Sequence, residues 1–284
     1  MFRQGSIGVS LVLIPISNEC ADKKSAQNPY KPVFNGCELM LDFLYTFSLK
    51  ISIRRNMNKA IFWDFDGTLV HSEHLWSGSL YRSLQRYTSH KDITLDDIRP
   101  PMSHGFSWDF YYEDMHEITG EKWWDYTFEH IQRVYKAVGI TESEVKTLLP
   151  LFREVLLEPE NYHLYDDTIQ TLEALHEKGY RHYLLSNNYP ELDVTMDKIG
   201  LSPYFNGMII SAQVGFDKPR REIFELALEM AGNPEKCFMV GDNPQSDIKG
   251  ALGVGIPAIL VHNNDAKGMK CEICENLSDI IGLI

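Results

Sequence analysis

The chain has 284 residues, of which 44% are hydrophobic and 12% aromatic, so it can bury one large core or a core plus a smaller domain. Its formal charge of −13 repels nucleic acid and anionic membrane surfaces, so neither is expected as a partner, and an anionic substrate would need local positive charge from a metal ion or a lysine. The five cysteines form no evident disulfide framework and suit a reducing compartment, so a cytoplasmic protein is expected.

Residues 1–56 differ in character from the rest of the chain. The segment 28–32, Asn-Pro-Tyr-Lys-Pro, is rich in turn-forming residues, and the longest apolar stretch, Ile7 to Ile16, is too short to span a membrane. The same stretch could be the apolar region of a signal peptide, but the residues after it make a poor cleavage site. We expect residues 1–56 to be an N-terminal extension outside the fold; the alternative is that they pack on it.

From residue 57 onward, short apolar runs alternate with amphipathic helical periods. This alternation is typical of parallel strands joined by crossover helices. It predicts a doubly wound α/β core with a parallel, Rossmann-like sheet. The predicted strands are 59–63, 180–185, 208–210, 237–240 and 258–261, and the predicted core helices are 167–178, 191–199, 221–230 and 246–252, with Gly179, Gly200, Gly232 and Gly253 as C-caps.

About a hundred residues between the first two predicted strands have helical rather than strand periodicity. Apolar residues recur at helical spacing over 76–87, 124–138 and 145–156. The last of these is preceded by the capping-box pattern Thr141-Glu-Ser-Glu144. We therefore expect an all-helical cap domain at residues 73–160, inserted into a catalytic core formed by residues 57–72 and 161–284.

Polar side chains follow four of the predicted strands. Ligands bind at the carboxyl ends of strands in open α/β sheets, because loops and helix N-termini converge there. The sequence therefore predicts one shared site. Its residues are Asp64, Asp66 and Thr68 after the first strand, Ser186 and Asn187 after the second, Lys218 beyond the third, and Asp242 and Asp247 after the fourth.

Asp64 and Asp66 have the chemistry that attack on phosphorus requires, although an Asp-x-Asp pair alone is weak evidence for it. A carboxylate can act as nucleophile and split hydrolysis into two easier steps, and Asp64 stands directly at the strand end. Asp66, two residues on, lies on the same side of an extended chain and can protonate the leaving oxygen and later deprotonate water. The negative charge of Asp64 would help to keep Asp66 protonated for the first step.

Crowded carboxylates repel one another, and a hard divalent cation such as Mg²⁺ resolves that conflict. The expected ligands are Asp64, the backbone carbonyl of Asp66 and Asp242, with Asp247 as a further ligand or as a residue that supports the ligands. Donors and positive charge for the equatorial phosphoryl oxygens are expected from Ser186, Asn187 and Lys218, with Thr68 as a further phosphate-binding residue.

These four motifs, in this order and spacing, resemble the haloacid dehalogenase (HAD) superfamily over residues 57–263. Within it they resemble the phosphatases with a helical cap after the first motif, which are similar to phosphoglycolate phosphatase and β-phosphoglucomutase. The resemblance implies magnesium-dependent hydrolysis of a small phosphorylated metabolite through an aspartyl-phosphate on Asp64. Three alternatives stay open: a phosphomutase, a non-catalytic interaction module, and a dehalogenase, against which Asp66 and Asp242 argue. The sequence does not indicate an oligomeric state.

Two segments of the insertion bear on a substrate site. The loop 100–106, which contains His104 and Phe106, could reach the active site. The aromatic residues Trp108, Tyr111 and Tyr112 are expected to pack between helices rather than to line a pocket.

Overall fold

The structure, a computed structural model, describes residues 57–87, 90 and 92–284. Our prediction for residues 1–56 lies outside the described residues. Six parallel strands form the main sheet in the order β5-β4-β1-β6-β7-β8, and two short antiparallel strands, β2 and β3, pair with each other. The strands are β1 Lys59–Trp63, β2 Val70–His71, β3 His163–Leu164, β4 Tyr180–Ser186, β5 Gly207–Ile210, β6 Lys236–Gly241, β7 Ala258–Val261 and β8 Glu272–Cys274.

The central strand β1 explains the position of the site. Its residues from Ala60 to Trp63 are fully buried, as expected for a parallel strand covered on both faces. Trp63 lies opposite Leu184 on β4 and Val240 on β6. The chain runs outward through β4 and β5 on one side and then through β6, β7 and β8 on the other, so the order reverses beside β1 and opens a crevice at the strand ends. The predicted doubly wound α/β core is confirmed.

Helices cover the sheet and fill the segment between β2 and β3. In chain order they are α1 Leu75–Arg86, α2 Leu95–Met102, α3 Glu121–Ala137, α4 Glu142–Leu156, α5 Thr168–Glu177, α6 Leu192–Lys198, α7 Ser211–Val214, α8 Arg221–Met230, α9 Gly250–Gly253 and α10 Asp279–Leu283. A π-helix, Pro244–Lys249, leads directly into α9. Among the helices of the described residues, none combines the length and hydropathy needed to cross a membrane.

The helical segment between β2 and β3 shares a hydrophobic core with one face of the sheet. Phe65, just beyond β1, has its ring 5.6 Å from that of Tyr162, and Trp124 of α3 lies 6.3 Å from Tyr189 beyond β4. The predicted capping box at the start of α4 is confirmed, since the Thr141 amide donates to the Glu144 carboxylate at 3.0 Å.

Two local predictions are wrong. Residues 100–102, predicted as loop, form the last turn of α2, which a second capping box between Thr94 and Asp97 starts early enough to include both prolines near its end. Gly253, predicted as a C-cap, belongs to α9. The left-handed residue there is Gly255, with φ +82°.

Candidate active site

Carboxylates and one lysine gather at the carboxyl ends of β1 and β6. Lys218, in the loop between α7 and α8, is 2% exposed, and its Nζ donates to Asp64 Oδ1 at 2.8 Å and to Asp247 Oδ1 at 2.6 Å. Asp247 is fully buried, and its second oxygen accepts a hydrogen bond from the Asn243 amide at 2.9 Å. Both oxygens of Asp247 are therefore engaged in holding Lys218 and the β6 loop in place.

The charge of Lys218 is fixed by its two partners. Burial by itself would lower the pKa of this lysine, but the carboxylates of Asp247 and Asp64 outweigh burial and raise the pKa above its usual value. The ammonium is therefore cationic at neutral pH. It is a buried positive charge at the ends of the strands in an otherwise acidic protein.

Asp66 lies beside Asp64 in a different environment. Asn188 Nδ2 donates to Asp66 Oδ2 at 2.7 Å, whereas the buried Oδ1 has no hydrogen-bond partner within the described part of the chain. Burial, and next the negative charge of Asp64, raise the pKa of Asp66 to about 7. A carboxyl group with a pKa near neutrality can both give and take a proton.

Asn188 is a residue of the site that sequence reasoning missed. The backbone amide of Asn188 donates to Ser211 Oγ at 3.1 Å, and its side-chain Oδ1 accepts from the backbone amide of Tyr189 at 3.0 Å. These bonds leave Nδ2 directed at Asp66. The available signal was its position two residues beyond Ser186, which places both side chains on the same side of an extended chain.

Asn187 connects the end of β4 to the loop of Lys218. Its Oδ1 accepts from the Lys218 amide at 2.7 Å, and its Nδ2 donates to the Lys218 carbonyl at 2.9 Å. This reciprocal pair sets the backbone position of the lysine, so the side-chain amide of Asn187 is already committed. Ser186, the last residue of β4, is 1% exposed and lines the same cavity.

Two glycines let carboxylates approach the backbone closely. A β-carbon at Gly67, whose φ is +77°, would lie 2.4 Å from Asp242 Oδ2. A β-carbon at Gly241 would lie 2.2 Å from Asp247 Oδ2. Any larger residue at either position would displace an acidic side chain of the site.

The acidic residues fit a hard divalent cation. Within residues 57–284 as described, one group of potential ligands stands out, namely Asp64, Asp242 and Asp247, whose carboxylate oxygens lie within 4.8 Å of one another. Burial, and then the charges of Asp64 and Asp247, raise the pKa of Asp242, as expected where negative charge is incompletely balanced. Carboxylate oxygens are what Mg²⁺ prefers. Both oxygens of Asp247 are engaged, by Lys218 and by the Asn243 amide, whereas Lys218 engages one oxygen of Asp64. Asp64 and Asp242 are therefore the better-suited ligands.

A cavity of about 790 Å³ opens over these groups. Gln245 Nε2 donates to the Tyr111 hydroxyl at 3.2 Å and so connects the loop after β6 to the helical segment. Part of the cavity lining comes from that segment. It includes Leu75, Trp76, His104, Trp108, Asp109 and Tyr111.

Two predictions about this cavity need correction. Trp108 and Tyr111 line it, whereas Tyr112 is 70% exposed. Trp108 also packs, stacked on Phe106 at 4.7 Å. Both roles are compatible because an indole has two faces, and helical spacing does not distinguish them. Thr68 is fully buried and does not line the cavity, and its hydroxyl has no partner among the residues described, so its side chain is not placed to bind phosphate.

Comparison with known proteins gives a family. The family model of haloacid dehalogenase-like hydrolases matches residues 58–255, which confirms the resemblance carried by the four motifs. A glyceraldehyde 3-phosphate phosphatase of Methanothermobacter thermautotrophicus is 29% identical over 231 residues, covering 79% of this chain and 94% of that protein. A phosphoserine phosphatase of Thermus thermophilus is 37% identical over 127 residues, covering 43% of this chain and 49% of that protein.

A solved structure agrees in fold. The HAD hydrolase YfnB from Bacillus subtilis, bound to magnesium, superimposes with a TM-score of 0.61 at 18% identity, covering 79% of this chain and 97% of that one.

Proposed function

Since the chain belongs to the haloacid dehalogenase-like hydrolases, we propose that it hydrolyses a small phosphate monoester, with Asp64 as nucleophile and Asp66 as general acid and base. One observation carries the proposal. Two neighbouring carboxyl groups at the end of β1 differ in environment, because Asp64 accepts a hydrogen bond from a buried lysine while Asp66 has a pKa raised to about 7. Paired carboxyl groups in different environments are the usual arrangement for dividing nucleophile and acid–base roles at neutral pH.

Asp64 attacks phosphorus and forms an aspartyl-phosphate. Lys218, 2.8 Å from Asp64 Oδ1, holds this carboxylate in place and neutralises part of the charge on an approaching phosphoryl group. Two residues position Lys218: Asp247 accepts a hydrogen bond from its ammonium, and Asn187 accepts one from its backbone amide. Ser186 supplies a hydroxyl donor for a phosphoryl oxygen.

Asp66 gives its proton to the leaving oxygen while the phosphoryl group moves to Asp64. The resulting carboxylate then accepts a proton from the water that hydrolyses the aspartyl-phosphate. Asn188 supports both roles, because its Nδ2 can donate to Oδ2 in either protonation state and so holds the carboxyl group in one orientation.

Magnesium is the metal that the carboxylates fit. We propose Asp64, Asp242 and the backbone carbonyl of Asp66 as its ligands, with Asp247 as a residue that supports them through Lys218. When bound, the ion supplies positive charge that reduces the repulsion between an anionic nucleophile and an anionic substrate.

The decisive experiment compares Asp64→Asn with Asp66→Asn on p-nitrophenyl phosphate. Nitrophenolate leaves readily without a proton, so Asp66→Asn should still transfer the phosphoryl group but hydrolyse the intermediate about 10²- to 10⁴-fold more slowly. We expect a burst of nitrophenolate and a hydroxylamine-labile phosphate in acid-quenched protein.

The same-sized Asp64→Asn variant is the matched control and should show neither burst nor label, because an amide is a poor nucleophile toward phosphorus. Turnover at the parent rate by Asp66→Asn, without a burst, would remove Asp66 from the mechanism. A labelled Asp64→Asn protein would show that another residue is the nucleophile.

A further inference from the structure

The charge of the cavity wall limits what the substrate carries besides its phosphate. Among the described residues that line the cavity, Lys218 is the sole lysine or arginine, and its ammonium already contacts two carboxylates. The lining also contains the carboxylate of Asp109 and two histidines, His71 and His104; His104 is 84% exposed and lies 3.8 Å from Asp109. A second carboxylate or phosphate on the substrate would therefore be desolvated without a dedicated cation.

Arg99 does not add a cation to the lining of this cavity. It lines a separate depression of about 380 Å³ that shares Leu75, Trp76 and Trp108 with the cavity. It is half-exposed and lies 3.9 Å from Asp96. The two indoles thus form a wall between the phosphoryl end of the cavity and the depression that contains Arg99.

The part of the lining contributed by the helical segment is rich in aromatic side chains that contact one another or a neighbouring loop. Trp108 stacks on Phe106 with ring planes 9° apart, and its centroid lies 5.6 Å from that of Trp76. The hydroxyl of Tyr111 is fixed by Gln245 at 3.2 Å. Trp76, Trp108 and Tyr111 are partly exposed and line the cavity. Ordered, partly exposed rings bind planar groups by stacking at little cost in conformational entropy.

We propose that the phosphate is the only anionic group of the substrate and that the leaving alcohol carries an uncharged planar ring, held against Trp76 and Trp108. The base of a nucleoside monophosphate has this chemistry. This inference rests on the phosphatase activity proposed above. It makes phosphorylated hydroxy acids and bisphosphates poor substrates.

The test compares kcat/KM for three phosphate monoesters in the presence of magnesium. Uridine 5′-monophosphate carries an uncharged ring, ribose 5-phosphate lacks the ring, and phosphoglycolate adds a carboxylate. The uridine compound should exceed both others by about tenfold or more, the size of the contribution from one base stacked on an aromatic side chain. In Trp108→Leu the ratio of the uridine compound to ribose 5-phosphate should fall by about tenfold. Tyr112→Leu, at a ring that is 70% exposed and outside the cavity, should keep the parent ratio.

The outcomes separate this inference from the function it rests on. Hydrolysis of ribose 5-phosphate or phosphoglycolate as efficiently as the uridine compound, or an unchanged ratio in Trp108→Leu, would overturn the ring-binding wall and leave the phosphatase in place. Failure to hydrolyse these three compounds and p-nitrophenyl phosphate would instead refute the proposed phosphatase activity. Binding measured by tryptophan fluorescence would then decide the inference, since the uridine compound must bind more tightly than ribose 5-phosphate.

Discussion

Acid should destabilise this protein through one buried histidine, His182 on β4. Trp63 Nε1 donates to its Nδ1 at 3.0 Å, and its own Nε2 donates to the Leu172 carbonyl at 3.0 Å. The ring is 1% exposed, and burial lowers the pKa of His182 from 6.5 to about 4. Protonation of Nδ1 would direct a second N–H at the indole N–H, so the folded state strongly favours the neutral ring.

The direction and size of this effect on the free energy of unfolding follow from the difference in proton binding between the folded and unfolded states. Because the pKa is lower in the folded state, the unfolded chain binds the extra proton first as the pH falls. The contribution of neutral His182 to the free energy of unfolding is therefore complete above about pH 6.5 and is lost progressively down to about pH 4. A difference of this size is worth roughly 3 kcal/mol, at about 1.4 kcal/mol for each pH unit. That is a large share of the stability of an ordinary domain, about 5–15 kcal/mol.

Urea unfolding at several pH values between 7 and 4 measures this contribution. The free energy of unfolding of the parent protein should fall more steeply with acid than that of His182→Gln, by about 3 kcal/mol across the range. Comparing the slopes of the two proteins cancels the acidic groups that they share. Parallel curves for the parent and His182→Gln would refute the reasoning.

Three further predictions concern the site and the chain. Gly241→Ala should lower kcat/KM about 100-fold, since its β-carbon would lie 2.2 Å from Asp247 Oδ2 and displace the carboxylate that holds Lys218. Gly253→Ala, where an added β-carbon would meet nothing within 4 Å, should leave the kinetics unchanged. Equal kinetics in the two variants would contradict this prediction. Excess chelator should abolish turnover of p-nitrophenyl phosphate and added magnesium should restore it; full activity in chelator would remove the metal. A chain beginning at Met57 should unfold cooperatively and turn over like the full chain, and an insoluble product would show that residues 1–56 contribute to the fold.

The sheet was predictable because its strands are short, buried apolar runs. The four residues from Ala60 to Trp63 are all hydrophobic, and Asp64 follows at once. The edge strand β8 was missed because two of its three residues, Glu272 and Ile273, are exposed, so no buried run marks it. The prolines of α2 hid its last turn, because proline usually ends a helix.

The site was predictable as a set of residues but not as a network. Sequence spacing brought Asp64, Lys218 and Asp242 to one edge of the sheet, and the structure places them there. The sequence could not show that Asn187 binds the backbone of Lys218, because that contact joins residues 31 positions apart and depends on the geometry of the loops. The aromatic wall was missed for a similar reason, since which face of Trp108 meets solvent depends on tertiary packing.

The two glycines of the site bear on how this sequence can change over evolutionary time. The Asp242 carboxylate occupies the space that Gly67 leaves open, and the Asp247 carboxylate occupies the space at Gly241. Neither glycine can be replaced without displacing its acid. Loss of Asp247 would allow a larger residue at position 241, whereas position 67 would still favour glycine because its φ is +77°. We therefore expect each pair to be inherited together. Relatives with a larger residue at position 67 or 241 should also have lost the acid at position 242 or 247, so a departure at either glycine would mark descendants in which the chemistry of the site has been abandoned.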